Sequence, residues 1–174
     1  LQSKRRVLSI GCGIGLIEYL LSEHSSLKVK IVAIEPSEVA VKWINLVPNV
    51  EVHNGFFPGV FKGNISQDFD YGYARALEYV FDSDEYVEFL TSILDFGLTE
   101  FSIISVCIQR KSIFSIVKNW MKNFLSRFGL YDRGQLWGYV RTEKDHKIAF
   151  QKAGFKEISF KQLDYSTLVI TGRV

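Results

Sequence analysis

Apolar, β-branched runs alternate with stretches of helical spacing over most of the chain. The runs at 6–10, 30–35, 50–53, 69–74 and 101–108 predict strands, and the spaced patterns at 16–23, 37–45 and 84–94 predict helices. Strands that alternate with helices are joined by crossovers, which predicts an α/β fold: a doubly wound, mostly parallel sheet with helices on both faces. The end of the chain breaks this rhythm. After a helix predicted at 143–152, "AGFKEISFKQLDYSTLVITGRV" reads as two strands around a short polar turn at 163–166. A parallel crossover needs about a dozen residues or more, so these two strands are predicted to end the sheet as an antiparallel hairpin.

One segment stands outside the alternation. "SIFSIVKNWMKNFLSRF", residues 112–128, places Ile113, Ile116, Val117, Trp120, Met121, Phe124 and Phe128 at helical spacing. It reads as a helical insertion over about 112–140 in an otherwise single domain spanning 1–174, packed by its apolar stripe. A basic amphipathic helix of this kind also suits a membrane surface or a partner. Its position says more than its charge. Ligands of open parallel sheets bind beyond the carboxyl ends of the strands, so a helix following the fifth strand is expected to roof a pocket there.

Composition adds limits rather than answers. With 174 residues, 47% of them hydrophobic, the chain can bury one sizeable core. A net charge of +2 is too small to point to nucleic acid as a partner. Cys12 and Cys107 lie far apart and His24, His53 and His146 are scattered, so neither a disulfide framework nor a metal site is expected. A reduced, cytoplasmic setting follows. No apolar run approaches the ~18 residues of a membrane span. The chain lacks an initial Met, which reads as a fragment or processed chain with a segment missing upstream. Oligomeric state is not readable from it.

Candidate chemistry starts at "RRVLSIGCGIGLIEYLL", where Gly11, Gly13 and Gly15 form G-x-G-x-G between a strand and a helix. Glycine lets a ligand approach the backbone closely beside the free N–H groups of the helix start. The dinucleotide fingerprint is G-x-G-x-x-G, and Leu16 occupies the place of its third glycine, so a pyrophosphate is not favoured. Glu35 closes the second strand, where a carboxylate can accept both hydroxyls of a ribose. Glu35 also fits a second role as a charge at the start of the next helix, beside Pro36 and Ser37.

"VLSIGCGIG", "IVAIEPS", "FDYGYARALEYV" and "RTEKDHKIAFQKAGF" with the hairpin after it resemble, in this order, the class I S-adenosylmethionine-dependent methyltransferases. The resemblance covers nearly the whole chain. It implies a Rossmann-like seven-stranded sheet whose last strand inserts antiparallel, and S-adenosylmethionine (SAM) as cofactor. It also implies that Gly11, Gly13 and Gly15 contact the methionine part, Glu35 the ribose, and Gly55 and Phe56 the adenine. Ala74 and Arg75 would then line the methionine side and the acceptor entrance. Three positions depart from the family pattern: Ser9 stands where an acidic residue is usual, Phe56 where many members have aspartate, and Tyr79 in place of the histidine of Leu-Glu-His.

Methyl transfer from a sulfonium is an in-line displacement, for which alignment supplies much of the rate. A general base is needed only when the acceptor must lose a proton. Glu78, Tyr79, Tyr139 and Arg141 are the candidate acceptor contacts, Arg141 toward an anionic group. Trp120, Phe124, Phe128, Tyr131, Trp137 and Tyr139 are candidate walls of an apolar pocket for a small or medium-sized molecule. Two other readings share these features: a nicotinamide-dependent Rossmann reductase, and a methyltransferase-fold binding domain without catalysis.

Overall fold

The structure is a computed structural model that describes residues 6–24, 29–61, 68–106, 117, 120–121, 124–125, 128–130, 139, 141–164 and 167–174. Strands β1 (Arg6–Ile10), β2 (Lys30–Glu35), β3 (Val50–Asn54), β4 (Tyr71–Arg75) and β5 (Glu100–Val106) pair in parallel. Strand β6 (Glu157–Gln162) pairs antiparallel with β7 (Thr167–Arg173), and β7 pairs antiparallel with β5. The order across the sheet is β3-β2-β1-β4-β5-β7-β6. The expected sheet and hairpin are both present. The order reverses between β1 and β4, which opens a crevice at the carboxyl ends of those two strands.

Period-two alternation sends the two sets of side chains to opposite faces. Leu8, Ile10, Val32, Ile34 and Ile103 bury against α3 (Ser83–Asp95) and α4 (Glu143–Ala153), through Tyr86, Phe89, Leu90, Ile93, Ala149 and Phe150. Val7, Ile31 and Tyr73 face the other way, onto Ile17 and Leu21 of α1 (Leu16–Glu23). Helix α2 (Glu38–Ile44) starts at Ser37, whose hydroxyl accepts the Ala40 N–H. Capping boxes at Asp82/Glu85 and Thr142/Asp145 fix the starts of α3 and α4, and Gly154, at φ 109°, ends α4.

The fourth strand begins later than its apolar pattern suggests. Phe69 leaves the ladder to pack with Phe61 and Phe96, while the Asp70 carboxylate accepts the Arg6 N–H. Of the 112–140 segment, Val117, Trp120, Met121, Phe124 and Leu125 are helical. Trp120, Phe124 and Phe128 are half or more exposed; Trp120 stacks on Phe124 with centroids 5.8 Å apart, and Phe128 tilts against Phe124 at 5.0 Å. The rest of that segment, including candidate walls Tyr131 and Trp137, lies outside the described residues, as does Cys107. Among the described residues no helix is long and apolar enough to cross a membrane.

Candidate functional site

The chain leaves β1 through three glycines that all take left-handed φ: Gly11 at 68°, Gly13 at 58° and Gly15 at 79°. Residues with a Cβ rarely adopt that region, so the loop's path depends on glycine. Gly15 caps α1 with no side-chain partner, leaving the N–H groups of its first turn without a side-chain cap. The glycines are not equivalent. A Cβ on Gly15 would come within 2.7 Å of Ile44 Cγ1, whereas one on Gly13 would meet nothing within 4 Å. Gly15 serves packing, and Gly13 faces open space.

That space is a cavity of about 290 Å³ lined by the loop, by Leu16, Ile17 and Glu18 of α1, and by Tyr73, Arg75 and Ala76 at the end of β4. It lies at the reversal of strand order. Ser9 and Tyr73 are register neighbours on β1 and β4, and both hydroxyls donate to Glu18 Oε1, at 2.5 and 2.6 Å. Glu18 is 1% exposed. Burial and this carboxylate hold the Tyr73 hydroxyl well above the usual tyrosine range. The Cys12 thiol is pushed up in the same way by burial and by the charges of Glu18 and Glu35.

Glu35 sits on the other side of the loop. Its Oε2 accepts the Gly13 N–H at 2.8 Å and its Oε1 accepts the Ser37 N–H at 2.9 Å, just ahead of α2. The helix-start role is thus realised, and the same carboxylate ties the glycine loop to β2. Each carboxylate oxygen has two acceptor positions, so capacity remains for two further donors. Asn54 Nδ2 braces this strand end by donating to the carbonyls of Glu35 and Pro36. Gly55 follows at φ 144°, and Phe56 is 76% exposed beside it. Ala74 is fully buried, while Arg75 is exposed at the cavity.

The four acceptor candidates are gathered around one guanidinium. Arg141 is buried and donates to the carbonyls of Glu78, Phe81, Asp82 and Tyr139, with its charge over the Tyr86 ring at 4.3 Å. The Tyr139 N–H donates to the Tyr79 carbonyl. These bonds fasten the turn after β4 to the entry of α4, which is a clamp rather than a free anion contact. Behind it, His146 is fully buried between the Tyr86 hydroxyl at 3.0 Å and the Ser105 hydroxyl at 3.3 Å.

Glu78 is 1% exposed, and neither carboxylate oxygen makes a well-formed hydrogen bond among the described residues. Burial pushes its carboxyl above the usual range, against the lowering influence of the Ser105 hydroxyl and the Arg141 charge. A carboxyl raised in the fold binds its proton more tightly there than in the unfolded chain. Its stabilising contribution is present below the unfolded pKa and is lost as pH rises through the folded value. Glu78→Gln is therefore expected to raise the melting temperature at about pH 8 and to lose most of that advantage at about pH 4. Thermal denaturation of both proteins across that range checks the sign.

No family model matches the chain, and no curated protein does. Solved structures do. Human N-acetylserotonin methyltransferase in complex with SAM superposes with a TM-score of 0.71 at 18% identity, over 99% of this chain and 48% of that one. A structure titled PigF with SAH gives 0.73 at 15% identity, over 100% and 52%. The S-adenosylmethionine-dependent methyltransferase SibL, in its apo form, gives 0.70 at 12% identity, over 98% and 50%. The fold is that of the class I S-adenosylmethionine-dependent methyltransferases. The chain spans about half the length of each of these structures.

Glu18 is the site residue that sequence reasoning passed over. Its signal is a carboxylate beside Ile17, third in a helix whose inner face is otherwise apolar, with Ser9 on the facing strand.

Proposed function

We propose that the chain binds SAM in the crevice between β1 and β4 and transfers its methyl group to a small or medium-sized molecule. The observation that supports this most is the pairing of a left-handed glycine loop with two buried carboxylates, Glu18 and Glu35, one on each side. The Glu18 carboxylate lines the cavity and the Glu35 charge lies just across the loop, so the site favours a cationic ligand over a pyrophosphate. These charges favour the methyltransferase reading over the nicotinamide one. The two solved structures whose titles print SAM and SAH share this fold and point the same way.

The residues present suit the cofactor. The loop at Gly11, Gly13 and Gly15 would lie against the methionine part and Glu35 would take the ribose hydroxyls on its remaining acceptor positions. The exposed Phe56 ring, next to Gly55, would cover the adenine, while Arg75 would border the methyl-transfer end and the fully buried Ala74 would only back it. When bound, SAM supplies an electrophilic methyl group on a sulfonium, open to in-line displacement by an acceptor lone pair. The protein's part is alignment and exclusion of water. Of the four acceptor candidates, Glu78 has unspent polar capacity and a raised pKa, which suits it to receive a proton from a hydroxyl acceptor. Arg141 acts from behind, holding the turn that carries Glu78 and Tyr79.

Melting curves test the cofactor. At about a hundred times its dissociation constant, SAM or S-adenosylhomocysteine (SAH) should add about 2.7 kcal/mol of apparent stability, and NAD or NADP none. Stabilisation by NADP alone would overturn the proposal. Release of SAH on incubation with SAM and a panel of small phenols and amines separates an enzyme from a binding domain.

A further inference from the structure

Glu18 is nearly inaccessible to solvent, yet half of its carboxylate is unused. Oε1 is saturated by the Ser9 and Tyr73 hydroxyls, while Oε2 has no hydrogen-bond partner among the described residues. A buried carboxylate oxygen left unpaired is costly, and such groups persist where something else completes them. Glu18 is one of the residues that line the glycine-loop cavity, and its Oε2 lies just beneath the surface. Its charge is felt there, since it pushes up both the Cys12 thiol and the Tyr73 hydroxyl. Arg75, at the end of β4, lines the same cavity. One wall therefore carries a carboxylate and a guanidinium, the complement of a zwitterionic α-amino acid.

We propose that Glu18 is the counter-charge for the α-ammonium group of the bound ligand, held ready by Ser9 and Tyr73; this rests on the cofactor reading above. The two hydroxyls fix Oε1 and leave Oε2 as the acceptor for a cationic donor. Helix α1 thus recognises the amino-acid end of the ligand by a side chain, in addition to the loop's backbone. Ser9 and Tyr73 are positioning residues, because they act on the ligand through Glu18.

Calorimetric titration with SAH, and with the SAH analogue that lacks the α-amino group, tests this on wild type and Glu18→Gln. Wild type should bind SAH at least about tenfold more tightly than the analogue, and Glu18→Gln should weaken SAH roughly 10- to 100-fold while changing the analogue less than about threefold. A merely structural role would weaken both ligands in parallel and overturn the proposal. Loss of SAM affinity with SAH affinity intact would overturn it too, since it places the charge at the sulfonium. Should Glu18→Gln not fold, the wild-type comparison decides alone: a tenfold preference for SAH supports the proposal, and equal affinities contradict it. Binding of neither ligand by wild type would instead overturn the cofactor reading.

Discussion

Glu35→Ala is expected to weaken SAH binding by roughly 30- to 1,000-fold, the largest single effect on affinity in the crevice. Two charge-assisted bonds to the ribose hydroxyls would be lost, each worth about 1.5 to 3 kcal/mol, with part recovered by entering water. The same change frees the Gly13 N–H, which the carboxylate holds at 2.8 Å, so the loop itself should loosen. Glu35→Gln should do less, because the amide keeps one acceptor oxygen but not the charge. A carboxylate serving only Ser37 at the start of α2 predicts a different pattern. That role is worth about 0.3 to 1 kcal/mol and would appear as lost stability with affinity nearly unchanged. Calorimetry and melting on the same Glu35→Ala protein separate the two. An affinity change below about threefold with a lowered melting temperature would leave Glu35 as a helix-start brace.

Gly15→Ala is expected to be the most damaging small substitution in the loop for stability, and Gly13→Ala the most damaging for binding. At Gly15 the added methyl combines a left-handed φ of 79° with a 2.7 Å approach to Ile44, which is itself fully buried. Strain and overpacking together should cost about 2 to 4 kcal/mol, or about 5 to 15 °C in melting temperature. Gly13 carries similar backbone strain but its methyl enters open space, so the stability loss should be about 1 kcal/mol. That space is where the ligand would lie, and SAH affinity should fall at least about tenfold. Equal stability losses for the two variants, with no difference in SAH affinity, would remove the division between packing and contact.

Periodicity made the strands and helices legible because burial on both faces of the sheet leaves apolar runs at strands such as Lys30–Glu35, and one apolar stripe at helices such as Ser83–Asp95. The closing hairpin followed from chain length alone, since the connection between its strands is too short for a crossover. The start of the fourth strand was not legible. Phe69 has strand character, but the aromatic cluster with Phe61 and Phe96 takes it out of the ladder, a choice made by residues distant in sequence.

The positions of the glycine loop and Glu35 at neighbouring strand ends were readable from their order along the chain. Their left-handed φ values and the Gly13–Glu35 bond were not, because they depend on how β1 and β2 align. Arg141 shows the limit more sharply. A guanidinium near a crevice suggests an anion, and only the fold reveals that the carbonyls of Glu78, Phe81 and Asp82 converge on it. Ser9 was visible as an unusual residue, but its tie to Glu18 joins a strand to the inner face of the next helix. No local pattern marks that pairing.

The most direct measurement is a crystal structure of the protein with SAH bound. The ribose hydroxyls should lie within hydrogen-bond distance of the Glu35 carboxylate, with the amino-acid end in the cavity under Gly13. SAH bound elsewhere, or with its ribose turned away from Glu35, would contradict the assignment of this crevice as the cofactor site.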